Sequence, residues 1–342
     1  MGSTMSDIAK RAGTSVAAVS VILNGARSKT LRVGPETRER ILRAAEELGY
    51  RRNPLASALA TGRSKVLALI LPEPHSLAQN DPFFSLVTNG VISLAAQQGY
   101  STVLYSSSLA EASREDLELV NRLVAGVVLA SPPPYCRIFD ECRSQKIPFA
   151  TIVAGPECAP FTVDSDDYQG GLLATRHLIE LGHRRIAHLE GRGSVSTTEP
   201  RRRGYFDALA DYEIAIDRDL CTPGNFNRAD GYSATRELLR LPQHRSPTAV
   251  FAGNDLSAHG AIEAIYDAGL RVPDDVSVVG YDDTWYATVS RPALTSVNMN
   301  VQGIGEEACK LLLSFIEQGS PVESHVVLPV SLTIRESTGP LR

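Results

Sequence analysis

The sequence predicts an α/β protein in two parts, a small basic bundle of helices at the N-terminus and a larger body of parallel sheets. Three observations carry this. From residue 65 onward, strand-sized apolar runs alternate with helical segments, the rhythm of βαβ units. Residues 1–64 carry 11 Lys and Arg against 5 Asp and Glu, whereas the remaining residues carry 23 against 34. A basic head on an acidic body fits a nucleic-acid module joined to a domain with another task. The apolar runs, such as Val66–Leu71, fall far short of the ~20 residues that cross a membrane. The 342 residues, 43% hydrophobic and 21% charged, suffice for two or three domains of ~150 residues. That composition excludes a disordered or collagen-like chain.

The first elements are short helices. Thr4-Met5-Ser6-Asp7 reads as a capping box with Asp7 at its third helical position. Ile8, Ala9 and Ala12 give the following helix one apolar face. Gly13 suits the turn that ends it, and Ser15 suits the cap of a second helix from Val16 to Asn24. On that helix Val19, Ile22 and Leu23 share one side and should pack on the first helix. Ala17, Ser20, Val21 and Asn24 share the other side. A surface of small apolar and hydroxyl side chains suits a helix laid in a DNA major groove, where methyl groups meet thymine and Ser or Asn reach base edges or phosphates. A small helical cap with a mildly apolar surface is the other reading. Pro35 and Glu36 open a third helix with the stripe Ile41, Ala44, Ala45 and Leu48, closed by Gly49. After Asn53-Pro54 a helix over 55–60 is too short to stand alone in water, and a polar linker follows to Ser64.

The segments Asp7–Ser15, Val19–Gly25, Pro35–Ile41, Leu48-Gly49-Tyr50 and Asn53-Pro54, in this order and spacing, resemble the DNA-binding head of lac repressor family regulators. The resemblance implies a helix-turn-helix head over 1–52 and a hinge helix with linker over 53–64. It places Ser15, Val16, Ala17, Ser20, Val21, Asn24, Thr37, Tyr50, Asn53, Ala56 and Leu59 at DNA, with Leu59 wedged between base pairs in the minor groove. Two features depart from the family pattern. The loop Gly25–Gly34 is longer than usual and carries Arg27, Lys29 and Arg32, which suit phosphate contacts or plain solvation. Val16, Ala17 and Val21 stand where many relatives have long polar side chains, so methyl contacts and DNA deformability should carry the readout.

In the body, the patterning predicts strands at Val66–Leu71, Ser101–Tyr105, Gly126–Leu129, Arg185–Leu189, Ala249–Ala252 and Ser277–Gly280. It predicts helices at Phe84–Gln98, Arg114–Leu123, Gln169–Leu181, Arg202–Asp211, Arg228–Arg240 and Ser257–Ala268. There is no GxGxxG after a strand, no P-loop, no HExxH and no GxSxG, so no enzyme, cofactor or catalytic residue is expected. His183 and His188 read as structural rather than metal-binding, and no metal site is expected. Five cysteines without a CxxC pair, and an N-terminus without an export signal, fit a reducing cytoplasm.

The resemblance continues through Val163–Gly171, His177–Ala187, Asn254-Asp255, Val279–Asp283, Arg291–Thr295 and Ile334–Thr338. It implies a periplasmic-binding-protein-like core of two α/β subdomains with an effector cleft between them. The N-subdomain is expected over about 65–163 and 292–323, the C-subdomain over about 164–291 and 324–342. Asp81, Phe83, Phe84, Arg201, Phe226, Asn254 and Asp282 match effector-binding positions, Asp81 where Asn is commoner. A guanidinium fork suits vicinal hydroxyls, a carboxylate or a phosphate, Asn offers donor and acceptor, and a carboxylate accepts from hydroxyls. Together they favour a polyhydroxylated effector, most simply a sugar or sugar derivative. Trp285 fits either the cleft wall or a subunit interface. The expected protein is a cytoplasmic, dimeric transcription regulator, most often a repressor in this family, that binds operator DNA under effector control. A nucleobase effector, control by a partner protein, and a sugar-binding protein without regulatory role are the alternatives. No leucine heptad follows residue 335, so no tail-mediated tetramer is expected.

Overall fold

Thr4 opens the first helix as the capping box requires. Its side chain accepts from the Asp7 amide and the Asp7 carboxylate accepts from the Thr4 amide. The computed structural model describes residues 3–24, 33–50, 64–72, 81–105, 123–133, 136–155, 157–319 and 324–342. These fall into two units, one holding residues up to Val66 with 123–125, the other the rest from Leu67.

In the first unit, α1 (Met5–Ala12) ends at Gly13 with φ 62°, α2 (Val16–Asn24) follows the turn, and α3 (Pro35–Glu47) starts with Pro at its first turn. Ile8, Ala9, Ala12, Ala18, Val19, Ile41, Ala44 and Ala45 are buried together, with Ile22, Leu23 and Leu48 packed against them. Arg11 pairs with Glu47 at 2.9 Å and ties α1 to the end of α3. The hinge helix expected over 55–60, the loop from Gly25 to Arg32 and most of the helix expected at 114–123 lie outside the described residues.

The second unit is built on two six-stranded sheets. One has the order β11 (His325–Leu328), β5 (Phe161–Ser165), β4 (Phe149–Ile152), β3 (Gly126–Ala130), β1 (Val66–Ile70) and β2 (Ser101–Tyr105). The other has the order β12 (Ser331–Thr333), β10 (Thr295–Asn298), β9 (Ser277–Asp282), β8 (Ala249–Ala252), β6 (Ile186–Leu189) and β7 (Cys221–Thr222). In the second sheet β12 runs antiparallel to β10, and the other pairs are parallel. Central strands are buried along their length because helices cover both faces, as parallel sheets require. Each fully buried Leu or Ile of β1 contributes about 1.5–3 kcal/mol.

Helix α4 (Pro82–Gln97) packs on α11 (Val301–Gln318) beside the first sheet, which also carries α5 (Arg137–Ser144). On the second sheet α6 (Asp167–Glu180) pairs with α7 (Thr198–Asp211), and α8 (Arg228–Leu239) with α9 (Asp255–Asp267). Between β9 and β10 stands the short α10 (Trp285–Val289). The three helix pairs meet backbone to backbone at glycines. A side chain on Gly90 would strike the Gln302 carbonyl, one on Gly171 the Arg201 carbonyl, and one on Gly231 the Ser257 carbonyl.

The chain passes from the first sheet to the second after Ser165, returns after Asn298, and passes again between Leu328 and Ser331. The first crossing falls beside the expected 163, and the second and third follow the expected 292 and 323 by about one strand. Thr295–Asn298 pair with Val279–Asp282, so β10 joins the second sheet before the chain leaves it. His325–Leu328 pair with Thr162–Ser165, so β11 still belongs to the first sheet. Asp283 ties the crossing strands together. Its carboxylate accepts from Asn298 at 2.9 Å, Thr333 at 2.8 Å and Arg335 at 2.6 Å.

Candidate functional site

The head offers an outward face on α2. Ala18 and Val19 turn inward, which leaves Val16 (46% exposed) and Ala17 at the surface, with Ser20 and Val21 half-buried beside them. The Ser15 hydroxyl accepts from the Ala18 amide at 3.2 Å and caps the helix, so its first role is structural. Thr37 is half-buried on α3, and its hydroxyl lies 3.4 Å from the Arg40 guanidinium. Tyr50, expected at DNA, is half-buried and packs against the head core beside Leu48, after Gly49 turns the chain with φ 58°. The side chain of Asn24, and Asn53, Ala56 and Leu59, lie outside the described residues.

In the core, Arg201 stands in the first turn of α7 and is 4% exposed. Its Nε donates to the Asp167 carboxylate at 2.8 Å, and an Nη donates to the Gly253 carbonyl. The guanidinium lies 3.6 Å from the centre of the Tyr281 ring, and the Tyr281 hydroxyl donates to the same Asp167 oxygen. Burial opposes the charge on Arg201, but the Asp167 carboxylate holds its proton more firmly than usual. Burial pushes the Asp167 carboxyl up, and Arg201 pulls against it. Arg201 is thus both an internal tie and a donor; its five N–H groups exceed the partners that bind it.

Phe226 precedes α8 and has φ 60°, a left-handed conformation that a bulky residue rarely adopts. The Asn254 amide donates to the Phe226 carbonyl at 2.8 Å, while its oxygen caps α9 by accepting from Ser257. These bonds let Asn254 hold Phe226 in place. The Phe226 ring lies flush against Gly191, where any side chain would collide with it, and near Gly253. Arg201 sits 5.7 Å from the ring centre.

Asp282 ends β9 with φ 96°, is 7% exposed, and accepts no hydrogen bond from a described side chain or amide. Burial pushes its carboxyl well above the ordinary range; Arg201 lowers it, and the charges of Asp255, Asp81 and Asp167 raise it further. Asp81 caps α4 by accepting from the Phe83 amide at 3.0 Å, and burial raises its carboxyl to about 6 against the pull of that amide. Phe83 and Phe84 follow it edge to face, with ring centres 5.2 Å apart. Arg201 touches the Met299 sulfur at 3.8 Å, at the second crossing.

Asp167, Tyr281 and the glycines at 191 and 253 carry no role in the sequence reading. Asp167 and Tyr281 lie inside the quoted segments Val163–Gly171 and Val279–Asp283, and each glycine follows the end of a strand. Trp285 is 53% exposed and stacks on Tyr286 at 4.1 Å. His183 bonds Thr248, Ser277 and the Gly339 carbonyl, and His188 stacks between Tyr205 and Phe251, driven down to about 4 by burial. Both are structural. Among the described residues no His, Cys, Asp and Glu group suits a metal ion, and no helix is long and apolar enough to cross a membrane.

Residues 4–53 match the sequence pattern of bacterial regulatory proteins of the lacI family, and residues 175–338 match the periplasmic binding protein-like domain. The transcriptional regulator CelR of Thermobifida fusca is 35% identical over 98% of both chains. The chain belongs to the LacI family of bacterial regulatory proteins. The transcriptional repressor PurR of Haemophilus influenzae is 30% identical, again over 98% of both chains. Among solved LacI-family structures, a lac repressor dimer bound to operator and the anti-inducer ONPF aligns with a TM-score of 0.83 and 28% identity, over 99% of this chain and 100% of that one. A CelR–cellobiose complex aligns with a TM-score of 0.72 and 32% identity, over 98% and 99%. The fold, the two parallel-sheet subdomains and the role of DNA-binding transcriptional regulator follow from this membership.

Proposed function

We propose that two copies of this regulator bind a near-palindromic operator, and that a small polyhydroxylated effector in the core cleft sets the affinity. A sugar or sugar derivative is the simplest effector. Asp282 carries this reading. Its carboxylate stands at a left-handed backbone position, the residue is 7% exposed, and no described side chain or amide donates to it, so its oxygens are open to donors from a ligand. The Phe226 ring gives an apolar face for the sugar plane, and the remaining N–H groups of Arg201 reach vicinal hydroxyls. The cellobiose held by CelR and the operator and anti-inducer held by lac repressor support the same division of labour.

Effector contacts reach residues of both sheets, so occupancy biases the angle set at the crossing strands. A coupling of about 1–3 kcal/mol changes operator occupancy 5–150-fold. In the head, Val16, Ala17 and Val21 read the major groove mainly through methyl contacts, and Leu59 supplies the minor-groove wedge. Repression is the expected outcome at the operator.

The test is a thermal-shift screen of neutral sugars, sugar phosphates and purines, followed by operator binding with each hit. A sugar that stabilises the protein and shifts operator affinity supports the proposal. Stabilisation by purines alone favours a nucleobase effector, and no effect of any compound on operator binding overturns small-molecule control.

A further inference from the structure

Three consecutive residues after β8 each grip a different part of the candidate site. The Gly253 carbonyl accepts from an Nη of Arg201. The Asn254 amide donates to the Phe226 carbonyl at 2.8 Å. Asp255, 1% exposed at the first position of α9, accepts from the Thr284 amide at 2.7 Å, the Thr284 hydroxyl at 2.9 Å and the Ser296 hydroxyl at 2.6 Å. The Ser296 oxygen in turn accepts from the Asp283 amide at 3.1 Å.

These bonds bear on Asp282. Asp282 and Asp283 both have left-handed backbones, with φ 96° and 52°. Strain in successive non-glycine residues persists only where the surroundings over-determine it. Asp255 supplies that constraint to both amides that follow Asp282, directly at Thr284 and through Ser296 at Asp283. It can stand there because residue 280 is glycine; the first carbon of a side chain at 280 would lie 2.6 Å from the Asp255 carboxylate. With three donors on its two oxygens and almost no exposed surface, Asp255 is spent inside the protein, unlike Asp282.

We propose that Asp255 is a positioning residue for the effector: it fixes the turn that presents Asp282, while its neighbours Gly253 and Asn254 hold Arg201 and Phe226. The stretch 253–255 is then one template for all three groups. This role rests on the reading that the cleft binds an effector through Asp282.

Binding of cellobiose, glucose, glucose 6-phosphate and hypoxanthine is measured by calorimetry with the full chain. Any of these that binds the parent chain should bind Asp255→Asn about tenfold or more weakly, because an amide nitrogen cannot accept the bonds that the second carboxylate oxygen accepts. The side chain keeps its size, so the variant folds. Ser296→Ala interrupts the same relay, so the double variant should lose less affinity than the product of the two single losses. Val278→Ala is the control. It opens a gap in the buried core of β9 and lowers the melting temperature, yet it should keep the affinity within about twofold. Asp255→Asn binding as tightly as the parent, independent losses in the double variant, or Val278→Ala losing affinity in step with its melting temperature overturns the positioning role and leaves the effector cleft standing. If none of the four compounds binds the parent chain, the effector reading falls and the positioning role falls with it.

Discussion

Asp283 and Arg335 form an ion pair at 2.6 Å that joins the end of β9 to the segment just after β12, the strand that follows the third crossing. Asp283 follows Asp282 directly, so the residue proposed to face the effector and the residue that grips the crossing strands share one peptide. The Asp283 side chain is 6% exposed and Arg335 19%.

Replacing Asp283 by Ala leaves a largely buried guanidinium unpaired and should cost about 3–5 kcal/mol in denaturant unfolding. Asp283→Ala with Arg335→Met should recover part of this. Full additivity of the two substitutions would refute the pairing.

Arg201→Ala should abolish the response of operator binding to effector. The same substitution strands Asp167 without its partner, so it should also destabilise the core by about 3–5 kcal/mol. Arg201→Lys keeps the charge but loses the stack on Tyr281 and the planar fork. It should fold better than the Ala variant and still respond poorly, as read by thermal melting beside effector titration.

The contribution of Asp81 to core stability should fall as pH rises from about 4 to 6, opposed by buried His188, whose depressed value makes its own contribution rise over the same window. Burial raises the Asp81 carboxyl from 3.8 to about 6, so the folded chain holds a proton that the unfolded chain has lost. The stabilising contribution is complete below 3.8 and vanishes as pH passes about 6. Asp81→Asn should make the melting temperature rise more, or fall less, with pH across this window than it does in the parent chain. An unchanged slope would assign the dependence to other groups.

Gly191→Ala should drive the Phe226 ring from its seat. Effector affinity should drop by about tenfold or more, measured by calorimetry, while operator binding without effector persists.

Cys142 and Cys309 should resist alkylation in the native protein and react on unfolding. Both are buried, and burial pushes each thiol up to about 12, so almost no thiolate forms at neutral pH. Mass spectrometry after a brief alkylation pulse reads this directly.

Much of this organisation was written in local pattern. The Thr4–Asp7 box, the Gly13 turn and the apolar stripe of α3 are local devices, and each forms as expected. So do the central strands β1, β3, β8 and β9, which are buried on both faces and read as unbroken apolar runs. The edge strands β11 and β12 are short and half-exposed, so burial does not mark them as it marks the central strands. The commitments of Arg201 to Asp167 and of Asn254 to Phe226 span 34 and 28 positions. Residue type announces a polar group, but only the fold shows which neighbour has already claimed it.

The glycine contacts between paired helices limit where motion can arise. With backbone against backbone there is no cushion of side chains to slide or repack, so each layer behaves as a stiff plate. Deformation is then concentrated in the few extended segments between plates, and a small push at one end of a plate arrives at the other undiminished.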